Sequence, residues 1–525
     1  MPENDEKQPS AESISRDQPL QLQLVPEPES SCCPKGESEP VLDPSESLYA
    51  PAYSIFGKYE KWFLVGMAAV TGLFSPLPAN IYFPALVTLA KVFDRSTEEL
   101  NLTVTVYLVM QGVSPMLWGP LSDRLGRRPI FLVCLFILIG SSIGLALCPT
   151  SAFWLLLLMR IFQAGGCAST IALGAGVIGD IATNEERGGY FGMFNLGPML
   201  APCIGPAIGG ALSQHLGWRS IFWFLTAFSV VCFILVLLFL PETMRGLVGN
   251  GSISPKGAIY RPLVPIIGQR AARSKPEMKS EKPQAKQGSM NPFRLLTYPD
   301  ILLTLTYTGI VYAVNYTITA TISSSFAKVY PFLSETNIGL CYLTTGAGMI
   351  LGSTITGKML DRDYAKIKAA YLDNREKSLQ DSTQDEDFPV EYARLRTMPI
   401  HLFLFVGCAI AWGWCIERKL SIAGPLILQV VLGWTSISIL NATMTLMIDI
   451  VKKQSSGVIA CTNLVRCSLA AVLVSVIDKS TDRLGYGWTY VLLAAICLLL
   501  LPLILMEMRL GPGFRRKRGG CDILR

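Results

Sequence analysis

Apolar residues along this chain come in long blocks instead of alternating with polar ones. We read twelve runs of roughly 20 residues, at about 62–85, 101–121, 130–148, 152–178, 189–214, 220–240, 301–322, 338–360, 398–416, 422–449, 457–477 and 486–506. At about 1.5 Å rise per residue, each is long enough as a helix to cross roughly 30 Å of hydrocarbon. In lipid, every backbone amide must be satisfied within its own segment, so the runs predict helices. The expected fold is all-α: a polytopic membrane protein with 12 transmembrane helices in two six-helix bundles.

The polar stretches between the runs divide the chain. Residues 1–60 are rich in Pro, Ser and Glu without hydrophobic period, which predicts a disordered N-terminal tail. A first bundle over 61–240 is followed by a Lys/Pro-rich linker, 241–300. A second bundle covers 301–506, and 507–525 form a basic C-terminal tail. The polar start and the length of the first run argue against a cleaved signal. With the N-terminus inside, about 29 Lys and Arg fall in inner loops and the C-terminal tail, and about 8 in outer loops. Both termini are therefore expected in the cytoplasm, with the plasma membrane as the location.

Composition narrows the classes. Only 16% of residues are charged, against about 25% in soluble domains. The net charge of +6 reads as a topology signal, and nothing points to nucleic acid. Arg515-Arg516-Lys517-Arg518 read as a solvated basic tail, with weak contact to anionic lipid as the functional alternative. The 14 cysteines lie mostly within apolar runs without metal-ligand spacing and read as small packing residues. With 2 histidines in the chain, no His-based metal cluster or catalytic triad is expected, and no cofactor.

Chemistry concentrates in a few places. Between the second and third runs stands Gly119-Pro120-Leu121-Ser122-Asp123-Arg124-Leu125-Gly126-Arg127-Arg128. Gly119 and Gly126 permit a sharp reversal, and the arginines are expected to bind the negative membrane surface. Asp123 can stabilise a helix N-terminus or pair with an arginine. A plain turn obeying the positive-inside rule would need no aspartate. Arg160, in the fourth run, lies about 12 Å from the start of its helix, where an arginine costs roughly 3 kcal/mol or more unless it meets a partner or a wet cavity. The competing reading is an arginine held by backbone carbonyls for packing. In the fifth run Gly192, Gly205, Pro206, Gly209 and Gly210 would let helices approach closely.

These three stretches resemble the G-x-L-x-D-R-x-G-R-R loop, the fourth-helix R-x-x-Q-G pattern and the fifth-helix glycine motif of the major facilitator superfamily. The resemblance extends to its twelve-helix drug:proton antiporter branch. One glycine of the fifth-helix motif is Ala201 here. Asn80 to Leu86, Gly174 to Ile181, Pro241 to Arg245 and Asn463 to Cys467 are similar to the fungal quinidine-resistance and citrate-exporter group. The resemblance implies alternating access. Asp123 would lock the halves in the outward-open state, Arg160 and Gln163 would belong to the coupling or substrate cavity, and the fifth-helix motif would accompany exchange. Such folds are built from a parallel repeat. Its second copy is Gly357-Lys358-Met359-Leu360-Asp361-Arg362; it lacks the following Gly-Arg-Arg and is expected to be more structural than mechanistic.

The candidate cavity has one arginine from each half. Arg466, in the eleventh run, also lies about 13 Å deep. No Asp or Glu falls near the middle of any run, so two cavity arginines would favour an anion, which a guanidinium matches through its bidentate fork. Tyr312, Asn315 and Tyr316 share one helix face, Tyr107 and Gln111 another, and Asn463 precedes Arg466 by one turn. Asn80 joins the same candidate lining. Such stripes also serve as glue between helices. Arginine does not titrate at physiological pH, which leaves protons an open choice as coupling ion.

The expected function is export of a small organic molecule by a monomeric carrier, foremost an organic acid or acidic secondary metabolite. A broad drug:proton antiporter for neutral or cationic amphiphiles is the alternative. A membrane-embedded sensor without net flux is a remote one.

Overall fold

A computed structural model describes residues 53–183, 186–253, 257–264, 292–377, 388–451 and 455–523. Most of the N-terminal tail, including Cys32 and Cys33, and much of the 241–300 linker lie outside them.

The described residues form membrane helices joined by short turns. In chain order these are α1 (Lys58–Phe93), α2 (Thr97–Leu125), α3 (Arg127–Ala146), α4 (Phe153–Ile181), α5 (Gly188–Leu216) and α6 (Arg219–Phe239). The second half has α7 (Pro299–Val329), α8 (Glu335–Lys377), α9 (Met398–Glu417) and α10 (Ala423–Ile450). One last stretch, Gly457–Arg515, runs 59 residues, several times the span of a bilayer. It is two helices. Gly485 (φ 78°) breaks it, and the Glu417 carboxylate accepts the freed Tyr486 amide at 2.8 Å. Before the break Asp478 meets Asn101, at the start of α2; after it Tyr490 meets Thr321 and Leu503 lies beside Leu303. The chain therefore rises as α11 (455–484) and returns as α12 (486–523). Eleven continuous apolar stretches become twelve helices. The return helix continues to Ile523, so the expected C-terminal tail is largely helical backbone.

Local sequence explains the ends and the breaks. Ser96 and Glu99 form a reciprocal cap at the start of α2, each side chain taking the other's backbone amide at 3.2 Å. Pro76, Pro78 and Pro84 interrupt α1 midway, leaving turn backbone inside the bundle. Beyond Asp361, α8 continues as a polar helix whose Tyr364 and Tyr371 rings pack edge-on against Phe388.

The halves meet along two pairs, α2 with α11 and α5 with α8. Small residues make both approaches possible. A Cβ on Gly112 would sit 3.3 Å from Leu464, and one on Gly346 would strike Cys203. Polar contacts between halves gather at the end opposite the termini, here the far end. There the Asn101 amide donates to Asp478 at 2.6 Å, Thr88 donates to Glu335, Gln214 accepts the Thr336 amide at 3.0 Å, and Lys479 pairs with Glu98 at 3.6 Å. The far end is closed.

Candidate functional site

Two arginines face the middle of the bundle from opposite halves. Arg160 on α4 is fully buried. Its Nη1 donates to the Pro78 carbonyl at 3.0 Å and to Gln163 Oε1 at 2.8 Å. The first partner exists because α1 is broken there; the second is fixed in turn by Ser142 of α3, which accepts from Gln163 Nε2 at 3.2 Å. The guanidinium lies over two tyrosine rings, Tyr82 at 3.9 Å and Tyr107 at 4.9 Å. Its remaining Nε and Nη2 are buried without a hydrogen-bond partner.

Arg466 on α11 repeats the plan. Asn463 Oδ1 accepts from its Nη2 at 2.7 Å, Tyr312 of α7 lies 4.4 Å from it, and its Nε has no partner. Tyr316, one turn after Tyr312, lies within electrostatic reach of both arginines. Its hydroxyl is buried without a partner, whereas that of Tyr342 on α8 meets the Ser323 backbone. Phe83 from the broken part of α1 packs against both rings, 5.8 Å from Tyr316 and 6.2 Å from Tyr342. Among the described residues, the groups that meet the two guanidiniums are tyrosine rings, side-chain amide oxygens, two thiols and one backbone carbonyl; none is a carboxylate. The centre is rich in donors and positively charged.

A second cluster lies at the end that carries the termini. Arg127 bridges Asp123 at 2.6 Å and Asp180 at 3.1 Å, and also donates to Ser122. Glu242, after α6, caps α3 by accepting the Arg127 and Arg128 amides at 2.8 and 3.2 Å. Gly126 (φ 104°) allows that approach, since a Cβ there would strike the Glu242 carboxylate. Arg128 is 1% exposed and donates to the Leu237 carbonyl at 2.7 Å and to that of Ile259. Beside the cluster, Lys61 donates to Glu186 at 2.7 Å, and this bond holds the Glu186 carboxyl below its ordinary pKa. In the other half Arg394, from the short helix Val390–Leu395, bridges Asp449 at 2.9 Å and Asp361 at 3.8 Å. Each cluster stays within its own half.

Comparison with known proteins decides the family. The sequence profile described as Major Facilitator Superfamily matches residues 68–475. The chain belongs to the major facilitator superfamily. It is 35% identical to "Citrate exporter 1" of Aspergillus niger over 91% of each chain. It is 34% identical to "Multidrug transporter QDR2" of Candida glabrata, over 85% of this chain and 80% of that one. The "MFS antiporter QDR1" of Candida albicans is 32% identical over 89% of this chain and 91% of that protein. A bacterial homologue of the human lysosomal transporter Spinster, solved inward-facing and unoccupied, superposes with TM-score 0.55 at 14% identity, covering 88% of this chain and 98% of that one. This last likeness concerns the fold alone.

Within the superfamily fold, the residues singled out in the sequence divide clearly. Arg160, Gln163, Tyr107, Tyr312, Tyr316, Asn463 and Arg466 are brought together, and Gln111 joins them at the α2–α11 contact, facing Cys467. Asn80 turns back to the Pro76 carbonyl at 2.7 Å and steadies the break in α1. Asn315 is buried on α7. Of the loop arginines, only Arg124 is exposed; Arg127 and Arg128 face protein partners, contrary to the expectation that all three meet the membrane surface. Arg362 is exposed, and a Cβ on Gly119 would meet nothing. In α5, Gly205, Gly209 and Gly210 abut Leu77, Ile81 and Glu335, and the Pro206 carbonyl faces Gly339, whereas Gly192 touches nothing. The sequence reading assigns no site role to Tyr82, Asp180 and Glu242, which lie in the stretches that carry the resemblance, and none to Tyr342, Gly197 and Arg394. Tyr82 had a signal, a tyrosine amid prolines in an apolar run; Arg394 had none.

Proposed function

We propose that this transporter exports small organic anions across the plasma membrane by alternating access, as a monomer with both termini in the cytoplasm. The observation that carries the reading is the central site: the buried Arg160, the half-buried Arg466 and the Tyr316 hydroxyl offer unpartnered donors, and among the described residues no carboxylate faces them. A buried charge of this kind is costly until an opposite charge meets it, and arginine's fork fits a carboxylate. Similarity to a citrate exporter supports the same class of cargo. The lysine and arginine bias of the loops supports the orientation. We assign no enzymatic step and no cofactor. The arginine pair carries no titrating proton, so export is driven by the cargo gradient and the inside-negative potential, with proton exchange as the competing drive.

The aromatic enclosure formed by Phe83, Tyr82, Tyr107, Tyr312, Tyr316 and Tyr342, together with similarity to multidrug transporters, favours a second reading: export of neutral or cationic amphiphiles. Comparing metabolites in the medium of cells lacking and cells overproducing the protein separates the two. A carboxylic acid that rises and falls with the transporter supports anion export. Unchanged acids with altered tolerance to unrelated amphiphiles support the second reading.

A further inference from the structure

We infer that the cargo carries two ionised carboxylates, one for Arg160 and one for Arg466. The inference rests on the organic-anion reading above and adds the number of charges.

The geometry of each guanidinium leads there. Arg160 lies over the rings of Tyr82 at 3.9 Å and Tyr107 at 4.9 Å, which leaves its hydrogen-bonding edges for a ligand. Nη1 is occupied by Pro78 and Gln163, and the free edge is Nε with Nη2. That edge binds a carboxylate through two parallel hydrogen bonds. Arg466 is oriented by Asn463 through Nη2 and faced by Tyr312, with Nε free. The free edge of Arg160 and the free Nε of Arg466 belong to different bundles, α4 and α11, and each arginine has its own positioning amide. They are two sites instead of one shared pair. Tyr316 stands within electrostatic reach of both, its hydroxyl available to a group between them.

Charge then counts the carboxylates. The site holds two positive charges and no facing acid. A monoanion would satisfy one guanidinium and leave the other charged, with an unpartnered donor, in a low-dielectric interior. A dianion leaves the loaded site neutral and ties the two bundles through one molecule. It passes the membrane as a neutral complex, and the positively charged unloaded site returns towards the negative inner face, a direction that the potential favours.

The test uses the full-length chain purified into liposomes, with rates taken above protein-free liposomes. The probes are the linear dicarboxylates from malonate to adipate, each with its monomethyl and dimethyl ester, at neutral pH. At the best chain length, the diacid should exceed its half-ester in kcat/KM by at least about tenfold, or about 1.4 kcal/mol. Arg466→Gln should cut the diacid's kcat/KM by at least about tenfold, to the wild-type level of the half-ester. Arg466→Lys should keep the order of preference, and Arg160→Gln should mirror the first variant. Should either glutamine variant fail to fold, the wild-type ratio and Arg466→Lys still decide. Equal transport of diacid and half-ester by the wild type overturns the two-carboxylate inference and leaves the anion reading standing. Flux confined to the dimethyl esters, or no flux of any probe while neutral amphiphiles are carried, overturns both.

Discussion

Arg394 holds Asp449 at 2.9 Å, the counterpart in the second half of the bond that Arg127 makes to Asp180 at 3.1 Å in the first. Each arginine also takes the aspartate at the end of its half's second helix, Asp361 or Asp123. The worn second copy of the loop therefore regains an arginine from a different place in the chain, 33 positions after Asp361 instead of four after Asp123. A Tyr364 ring 4.2 Å away completes its setting. If the two clusters do the same work, Arg394→Ala should lower the initial transport rate about as much as Arg127→Ala, by roughly tenfold, because a partly buried carboxylate loses its partner. Arg394→Lys should recover only part, since a point charge cannot bridge two acids as a fork does. A normal rate in Arg394→Ala would return the second cluster to a structural role.

Asp123 is about one-third exposed and pairs with Arg127 while the far end is closed, so among the described residues it makes no bond to the opposite half in this state. A latch that forms only in the other state predicts a loss of rate without a loss of folding. Asp123→Asn should cut flux by about tenfold while membrane insertion and melting temperature stay near wild type. Unchanged flux would remove the gating role.

The helices were legible because the bilayer imposes one length and one composition on every span; even the last two, joined by a turn as short as Gly485, read as separate runs. The arginines of the site were legible for a related reason: at membrane depth a charge costs too much to be incidental. Their orientation was not. That Gln163 fixes Arg160 follows from helical spacing, but that Pro78 does so depends on the break in α1. Arg394 was hidden because its role arises from packing of a short helix against α8 and α10, which has no sequence spacing to read. The loop arginines misled in the opposite direction, since a positive-inside count does not tell a charge facing lipid from one facing Asp180.

Asn101 begins an Asn-Leu-Thr sequon, yet it is 7% exposed and its amide donates to Asp478 across the far end. A glycan there would break the seal between α2 and α11. Glycosidase treatment should give no mass shift from this position. Asn101→Ala should open the far end, as a buried hydrogen bond to a charged group contributes about 1.5–3 kcal/mol, or roughly tenfold to a hundredfold in population. Hydrogen exchange at the far ends of α2 and α11 would report it. Unaltered protection would mean that the Glu335, Gln214 and Lys479 contacts hold the seal without Asn101.

The glycines of α5 give the sharpest contrast between pattern and packing. Gly192, Gly205 and Gly209 all belong to the motif, but a Cβ on Gly192 would meet nothing, whereas one on Gly209 would run into the Ile81 carbonyl of α1. Gly197, outside the motif as first read, faces the Ala69 carbonyl just as closely. Backbone cannot yield as a flexible side chain does, so added carbon must push α1 and α5 apart. Overpacking of this sort costs about 1–3 kcal/mol. Gly197→Ala and Gly209→Ala should each lower the melting temperature in detergent and reduce transport, and Gly192→Ala should do neither. If Gly192→Ala instead abolished transport at unchanged melting temperature, its open surroundings would be the approach space of the opposite half in the other state, and the motif would act through motion more than through packing.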